Sequence, residues 1–534
     1  MNVILIAGLG PALMETEDLT GSLYDQDHPE IRRQYYIGGR DCTPERLVYQ
    51  IRGESIPLLR PRPKLQETDY ISETLKSILS AEDIPFHFIP ICQIWADEVP
   101  DTRGLEGESI VCLSTTFMWN ERMLNHSISW IFQHLNCRYL VVGGQYGVLK
   151  QEYLLQHWGT PNLFLQTGEA ELSLVPLIRV LQAGGGEKEL CAIPNLLSKR
   201  NSGTLLRTTT EDFDFRSVPR VHFRGQNSYI PYMSMRGCPY RCKFCALREC
   251  TPKWQYQTAE RIFADWRAYA QENGARHFTI NDSTFFIPYD KIPPLLKLLK
   301  GSGFTWDANA RADTPFDASS VKELEEAGCT ALFFGFESMC SETLKKMDKR
   351  TTPADNRRIN CLFANSSITT KMSFIVGFPG ETPEDFAQTQ SYLVNEHVGR
   401  YSLYVFEYEG DILPIGKEKD KYQLELLPEN GGYHWAHAGE HWKHCGMDSD
   451  TARSLRAQTI RLTRIHPNSM AVYRTWQDAY AWPFVPELDK EQNLRIEKLL
   501  DQLVFAPVDA GTALEVEVHR ILEELEAFHI VLGQ

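Results

Sequence analysis

Short apolar runs recur along the first third of the chain, and most close on glycines or small polar residues. Val3–Ala7 runs into Gly8 and Gly10, Ile110–Leu113 into Ser114-Thr115-Thr116, and Tyr139–Val142 into Gly143-Gly144. Pro85–Ile91 is a further strand candidate, while Asp69–Leu79 and Arg122–Leu135 have helical spacing. Strands apolar on both faces, rather than alternating, belong to parallel sheets covered by helices on each side. Residues 1–185 therefore predict a doubly wound, Rossmann-like α/β domain. Such a sheet binds its ligand at the carboxyl ends of the strands, where this chain places its glycines. Residues 186–228 lack strong periodicity and are rich in turn residues, which predicts a connector.

A second alternation occupies residues 229–410. Its strand candidates are Tyr232–Met235, His277–Asn281, Thr305–Ala310, Ala331–Phe336, Lys371–Gly377 and Ser402–Tyr408. Ile262, Trp266 and Tyr269 mark an amphipathic helix that stops at Gly274, and Thr382-Pro383-Glu384-Asp385 has the composition of a helix start. Six βα units predict a partial (β/α)6 barrel, two units short of a closed one. Residues 411–534 begin loop-rich and become mostly helical, with helical spacing over Glu497–Leu503 and Ala513–Phe528, and are expected to form a substrate-side domain.

The net charge of −15 argues against a nucleic-acid face, which needs clustered Lys and Arg. No apolar run reaches 18 residues and no basic-then-apolar leader opens the chain, so no membrane span is expected. Nine of the 13 cysteines stand singly, which suits a reducing cytoplasm rather than a disulfide framework. The other four crowd between Cys238 and Cys250.

The sequence Met235-Arg-Gly-Cys238-Pro-Tyr-Arg-Cys242-Lys-Phe-Cys245 places three thiols on one tight loop after the first barrel strand. Three thiolates can hold three irons of a [4Fe–4S] cluster and leave the fourth iron open. A zinc site would need a fourth ligand, for which Cys250 is available. With the strand before it and the barrel after it, this motif resembles the radical S-adenosylmethionine superfamily. The resemblance implies a cluster whose open iron chelates S-adenosylmethionine, reductive cleavage to a 5′-deoxyadenosyl radical, and an electron donor such as flavodoxin or ferredoxin. It also implies roles for residues at later strand ends. Phe244 matches an aromatic beside the adenine, with core packing as the alternative. Asp282 stands where the family binds the methionine amino group, although the commoner Gly-Gly-Glu is absent. Arg311 can pair with the methionine carboxylate or with a neighbouring acid, and Glu337-Ser338 falls near the ribose hydroxyls. Gly377-Phe-Pro379-Gly380-Glu381-Thr382 resembles a turn in which glycine admits backbone close to the adenine.

No G-x-G-x-x-G opens the first helix and no P-loop occurs, so nothing in residues 1–185 points to NAD or ATP. Ser114-Thr115-Thr116 and Gly143-Gly144 instead resemble elements of cobalamin-binding domains, and Thr167-Gly168-Glu169-Ala-Glu171 resembles a turn found where such domains join radical barrels. No D-x-H-x-x-G is present, so the resemblance implies cobalamin held without a protein histidine on cobalt. An inherited fold that no longer binds cobalamin is the alternative. Tyr433 to Cys445 holds His434, His437, His441 and His444, and reads as surface histidines, pocket lining or a second metal site. Trp442, His444 and Met447 also resemble a segment near the active site of related enzymes.

Together the modules resemble cobalamin-dependent radical S-adenosylmethionine enzymes. The implied activity is methylation of an unactivated carbon or phosphorus centre of a small-molecule, natural-product or peptide substrate, through the deoxyadenosyl radical and methylcobalamin. A non-methylating rearrangement, ring contraction or cyclisation is the alternative. A non-enzymatic iron–sulfur scaffold would need none of the S-adenosylmethionine contacts. A methylthiotransferase is disfavoured by the lack of a second cysteine triad.

Overall fold

A computed structural model describes residues 1–8, 35–37, 40–42, 69–95, 99, 105–118, 120–408, 410, 412–427, 441–464, 466–472, 488–509 and 514–528. The first sheet has seven strands, in the spatial order His87–Pro90, Asn2–Ala7, Ser109–Ser114, Cys137–Gly143, Leu163–Gln166, Leu196–Lys199 and Leu205–Arg207. The first five are parallel, and strand order reverses beside Asn2–Ala7, so ligands are expected at the carboxyl ends there. Ile4, Ile6, Val111, Leu113 and Val142 fill one face, whereas Val3, Leu5, Ile110, Cys112 and Val141 fill the other. This two-sided burial is why the runs read as continuously apolar.

The last two strands lie in the segment whose sequence predicts a connector. They pair antiparallel with the sheet edge and with each other across the turn at Gly203. Each is only three or four residues long, too short for a period to stand out.

The second sheet also has seven strands: Tyr229–Tyr232, His277–Ile280, Thr305–Arg311, Cys329–Glu337, Thr369–Val376, Gly399–Val405 and Ser469–Ala471, in that order and all parallel. Six match the expected barrel units. The seventh comes from the mostly helical C-terminal region and is three residues long. The first ends at Tyr232, and Met235–Arg236 pairs separately with Gln255–Tyr256, closing the base of the cysteine loop.

Helices clothe the outside of this sheet. Helix Ala259–Asn273 starts where the Thr258 side chain accepts from the Arg261 amide and stops at left-handed Gly274. It buries Ile262, Trp266 and Tyr269, with Trp266 stacked on Phe278 at 4.3 Å. The later helix Lys490–Asp509 is tied to the barrel by Arg400, whose Nε donates to Glu497 at 2.8 Å in a buried pair. No helix among the described residues is long and apolar enough to cross a membrane.

The two sheets meet at Arg236, one residue before the glycine that opens the cysteine loop. Its guanidinium donates to Glu169 and to Glu171 at 2.6 Å each, and lies 5.1 and 5.3 Å from the rings of Phe213 and Phe215. Three parts of the chain converge there: the first domain, the segment after it, and the barrel. Desolvation raises the Glu169 carboxyl against the pull of Arg236. Removing the cation leaves two carboxylates side by side in a partly buried interface, which costs about 1.5–3 kcal/mol for lost hydrogen bonds to charged groups. Arg236→Met is therefore expected to lower unfolding free energy by about that amount. Denaturant titration checks it, and a loss under about 1 kcal/mol, as for exposed pairs, contradicts the assignment.

Candidate functional site

The cysteine loop is held at its root by Asp282. Its carboxylate accepts the amides of Ser234 at 2.7 Å and Met235 at 2.9 Å, and the Ser234 hydroxyl at 2.5 Å. Asp282 is fully buried, and desolvation raises its carboxyl pKa against Lys291 and these hydrogen bonds. Two residues after Met235, Gly237 has φ +71°, and a Cβ there would come within 2.4 Å of the Lys253 carbonyl oxygen. Farther on, the Lys243 amide donates to the Met347 carbonyl at 2.9 Å, fastening the loop to the turn after the fourth barrel strand.

Cys238, Cys242 and Cys245 face a cavity of about 510 Å³ at the carboxyl ends of the barrel strands, together with Tyr240 and Phe244. Arg311 stacks on Tyr240, its guanidinium carbon 3.6 Å from the ring centre. It pairs with Asp313 at 2.9 and 3.0 Å and donates to the Lys349 carbonyl at 2.6 Å. Its Nη1 is 3.9 Å from the Cys242 sulfur. The neighbouring-acid reading of Arg311 is thus present, while the side chain still lines the cavity.

Burial pushes the Cys245 thiol up to about 11 and raises Cys242 also, with Lys349 and Arg311 pulling Cys242 the other way. A thiol raised in this way gives up its proton readily when a metal takes the proton's place. Among the described residues no three His, Cys, Asp or Glu side chains converge on one ion position. Three sulfurs spread around one cavity suit a cluster in which each takes its own iron, and the donor set fits that group. Cys250 stands apart from the three: its sulfur points to the Gln145 carbonyl at 3.7 Å and lines a different cavity.

Successive strands supply the remaining walls. Thr284 follows the second strand, and its buried hydroxyl has no hydrogen-bond partner. Asn309 comes from the third, Phe333, Gly335 and Glu337 from the fourth, Lys371 and Ser373 from the fifth, and Tyr404 from the sixth. Glu337 has φ +62°, sits at a register shift, and accepts from Lys349 Nζ at 2.8 Å. A non-glycine residue in that region is strained, and such strain gathers at functional sites.

The structure brings Cys238, Cys242, Cys245, Phe244, Arg311 and Glu337 together but leaves three expected residues off the wall. Asp282 holds the loop from behind, because its neighbours Asn281 and Ser283 take the cavity-facing positions. Ser338 is buried beyond the Glu337 kink and accepts from the Cys340 amide at 3.1 Å. Gly377, with φ +85°, admits Trp442 rather than a ligand: a Cβ would lie 2.5 Å from that ring. Thr284, Asn309, Lys349, Lys371, Ser373 and Tyr404 were not anticipated. Thr284 lies just beyond a strand end and Tyr404 near one, whereas Asn309, Lys371 and Ser373 sit within strands and Lys349 follows a helix, so no shared sequence signal marks them.

The Gly377 turn is braced by His444. Its Nε2–H donates to the Gly377 carbonyl at 3.1 Å, and Nδ1 accepts from the amides of Gly380, Gly446 and Met447. Trp442 stacks on His444 at 5.1 Å and donates to the Phe406 carbonyl at 2.7 Å. Trp442, His444 and Met447 thus support the turn and are not on the cavity wall. His434 and His437 lie outside the described residues.

A second cavity, of about 360 Å³, opens at the carboxyl ends of the first sheet. Ser114, Thr116, Gly143, Gly144, Gly168 and Glu169 line it, joined by Arg236 and Gly237 from the barrel. Thr115 lies beneath, donating to the Gly143 carbonyl at 2.8 Å and accepting from the Gly147 amide at 2.7 Å. It shapes the turn without facing the cavity. Gly144 has φ +94°, and a Cβ would meet the Thr116 amide at 2.9 Å.

Residues 232–393 match the family model described as the radical SAM superfamily. An uncharacterized methyltransferase of Pyrococcus horikoshii is 25% identical over 58% of this chain and 67% of its own length. Several other curated relatives are matched over less than half of theirs. The radical S-adenosylmethionine methyltransferase TsrM from Kitasatospora setae, solved with cobalamin and a [4Fe–4S] cluster, superimposes with TM-score 0.58 and 15% identity, over 86% of this chain and 96% of that one. OxsB, solved with aqua-cobalamin and S-adenosylmethionine, superimposes with TM-score 0.56 and 18% identity, over 96% and 81%. At such identities the likeness establishes a shared fold.

Burial holds His444 down at about 4 from an ordinary 6.5. The unfolded chain therefore binds a proton between those values that the folded chain refuses. Its contribution to stability is full above pH 6.5 and is lost as pH falls toward 4, on the order of 3 kcal/mol in all. Glu381 acts oppositely: desolvation raises it to about 8 from 4.5, so its stability cost grows as pH rises through that range. Urea denaturation between pH 4 and 8 separates the two. His444→Gln is expected to flatten the acid-side fall, and Glu381→Gln the alkaline-side fall. Unchanged slopes in both variants contradict the burial described.

Proposed function

We propose that this chain, which carries a radical S-adenosylmethionine domain over residues 232–393, is a cobalamin-dependent methyltransferase acting on an unactivated carbon or phosphorus centre. The observation that carries the reading is the pair of adjoining cavities. One is ringed by three thiols, the other by the Gly143-Gly144 turn of a Rossmann-like sheet, and Arg236 clamps the two domains together. Relatives that superimpose over most of the chain were solved with cobalamin, and with a [4Fe–4S] cluster or S-adenosylmethionine.

In this reading Cys238, Cys242 and Cys245 hold three irons, and the bound cluster supplies the electron that cleaves S-adenosylmethionine. Arg311 and Tyr240 brace the loop from beside Cys242. Thr284 offers an unpartnered hydroxyl to the polar end of S-adenosylmethionine, and Glu337, already neutralised by Lys349, can accept a hydrogen bond from its ribose. Phe244 gives the adenine a flat apolar contact. Bound cobalamin supplies a methyl group that a carbon radical can accept. Ser114, Thr116 and the Gly143-Gly144 turn would contact its nucleotide tail, the absence of Cβ atoms allowing close approach. Ligands seated in both cavities would displace water from the reacting groups. A low-potential donor such as flavodoxin or ferredoxin would deliver the electrons.

Turnover on this reading uses two molecules of S-adenosylmethionine, one leaving as 5′-deoxyadenosine and the other as S-adenosylhomocysteine. Reconstituted enzyme with cobalamin, reductant and methyl-labelled S-adenosylmethionine, screened over candidate substrates by mass spectrometry, is expected to yield both near one to one with a methylated product. Replacing Cys238, Cys242 and Cys245 with Ala removes iron–sulfur absorbance and deoxyadenosine together, whereas Cys250→Ala retains both. Altered substrate without S-adenosylhomocysteine or mass gain overturns methylation and points to a rearrangement or cyclisation.

A further inference from the structure

The two cavities share part of their walls. Among the described residues two side chains line both: Leu247, in the short helix Leu247–Cys250 after the cysteine loop, and Ser283, just past the second barrel strand. The helix that carries Leu247 reaches toward the first domain, with Cys250 Sγ 3.7 Å from the Gln145 carbonyl. Leu247 thus lies between the cysteines on one side and the Gly143-Gly144 turn on the other. Across from it, strand-like alternation sends Asp282 away to hold the cysteine loop and turns Ser283 into the opening.

From this placement we infer that Leu247 and Ser283 frame an aperture joining the two ligand cavities, and that Leu247 is a positioning residue setting how S-adenosylmethionine and cobalamin approach each other there. The inference rests on the functional reading above and adds to it where the ligands meet. Leu247 has no titratable group, and the hydroxyl of Ser283 does not ionise near neutral pH. The opening therefore neither supplies nor removes a proton. That suits transfer of a methyl group or a hydrogen atom and gives no foothold for general acid–base catalysis. An apolar leucine also keeps water out of the gap, and its bulk limits which substrate atom can be presented to both cofactors.

The test reads binding and spectra rather than turnover. Protein reconstituted with iron, sulfide and hydroxocobalamin is desalted, its cobalt reduced to Co(II), and electron paramagnetic resonance recorded before and after S-adenosylmethionine. In the unaltered chain S-adenosylmethionine is expected to shift the Co(II) spectrum. Cobalamin loading is in turn expected to change S-adenosylmethionine affinity by about fivefold or more, the same factor in both directions because coupling between sites is reciprocal. Leu247→Trp fills the aperture, so the spectral response is lost and the affinities uncouple while iron and corrin content persist. Ser283→Leu narrows it from the other side and serves if the tryptophan variant does not fold. Failure to retain corrin in the unaltered chain overturns the functional reading and this inference with it. Retained corrin with a spectral response that survives in both folded variants overturns the inference alone.

Discussion

Arg236 ties the first domain to the root of the cysteine loop by a paired charge. It is the residue before the glycine that opens the cysteine loop, and its charge is neutralised by Glu169 and Glu171 of the first domain. Taking one guanidinium and two carboxylates out of water is costly, and only close, hydrogen-bonded geometry offsets it. The pairing therefore tolerates little displacement of one domain against the other. A reaction that needs two ligands at a fixed separation gains from such a constraint, because a misplacement of an ångström can cost orders of magnitude in rate.

A second feature is that buried polar side chains hold loops and turns in place from behind the two cavities. Asp282 spends its carboxylate on the backbone of Ser234 and Met235, and Thr115 spends its hydroxyl under the Gly143 turn. His444 offers three amides an acceptor and fixes the Gly377 turn as a neutral imidazole. In each case a buried side chain satisfies backbone groups that a loop cannot pair internally. At the wall, Thr284 keeps an unpartnered hydroxyl, and Glu337 holds an unusual backbone conformation beside Lys349. Rigid support behind the wall is what orienting a bound ligand requires.

Much of this was legible beforehand. Apolar runs gave the parallel strands of the first domain because such strands are buried on both faces and so differ plainly from loops. Six barrel strands were visible from their regular alternation with amphipathic helices, and the cysteine spacing alone brought three thiols together, since three thiols on one short loop must remain near one another. The edge strands Leu196–Lys199 and Leu205–Arg207, and the seventh barrel strand Ser469–Ala471, were not legible. Their existence depends on a neighbouring edge being free to pair, which no local pattern records.

At the site, sequence by itself determined which residue types stand at the strand ends, because chain order and period alone decide that. Only tertiary structure decided which of them face the ligand. Asp282 and Ser283 are adjacent in the chain yet point to opposite sides, and the positive φ at Glu337 turns Ser338 away from the cavity. Gly377 appeared suited to a ligand's approach but makes room for Trp442, which comes from another part of the chain. Arg236 meets Glu169 and Glu171 across tens of positions, and Leu247 and Ser283, from separate loops of the barrel, line the same two cavities. Composition and spacing describe a chain along its length, whereas these arrangements arise from tertiary packing, and that information exists only in three dimensions.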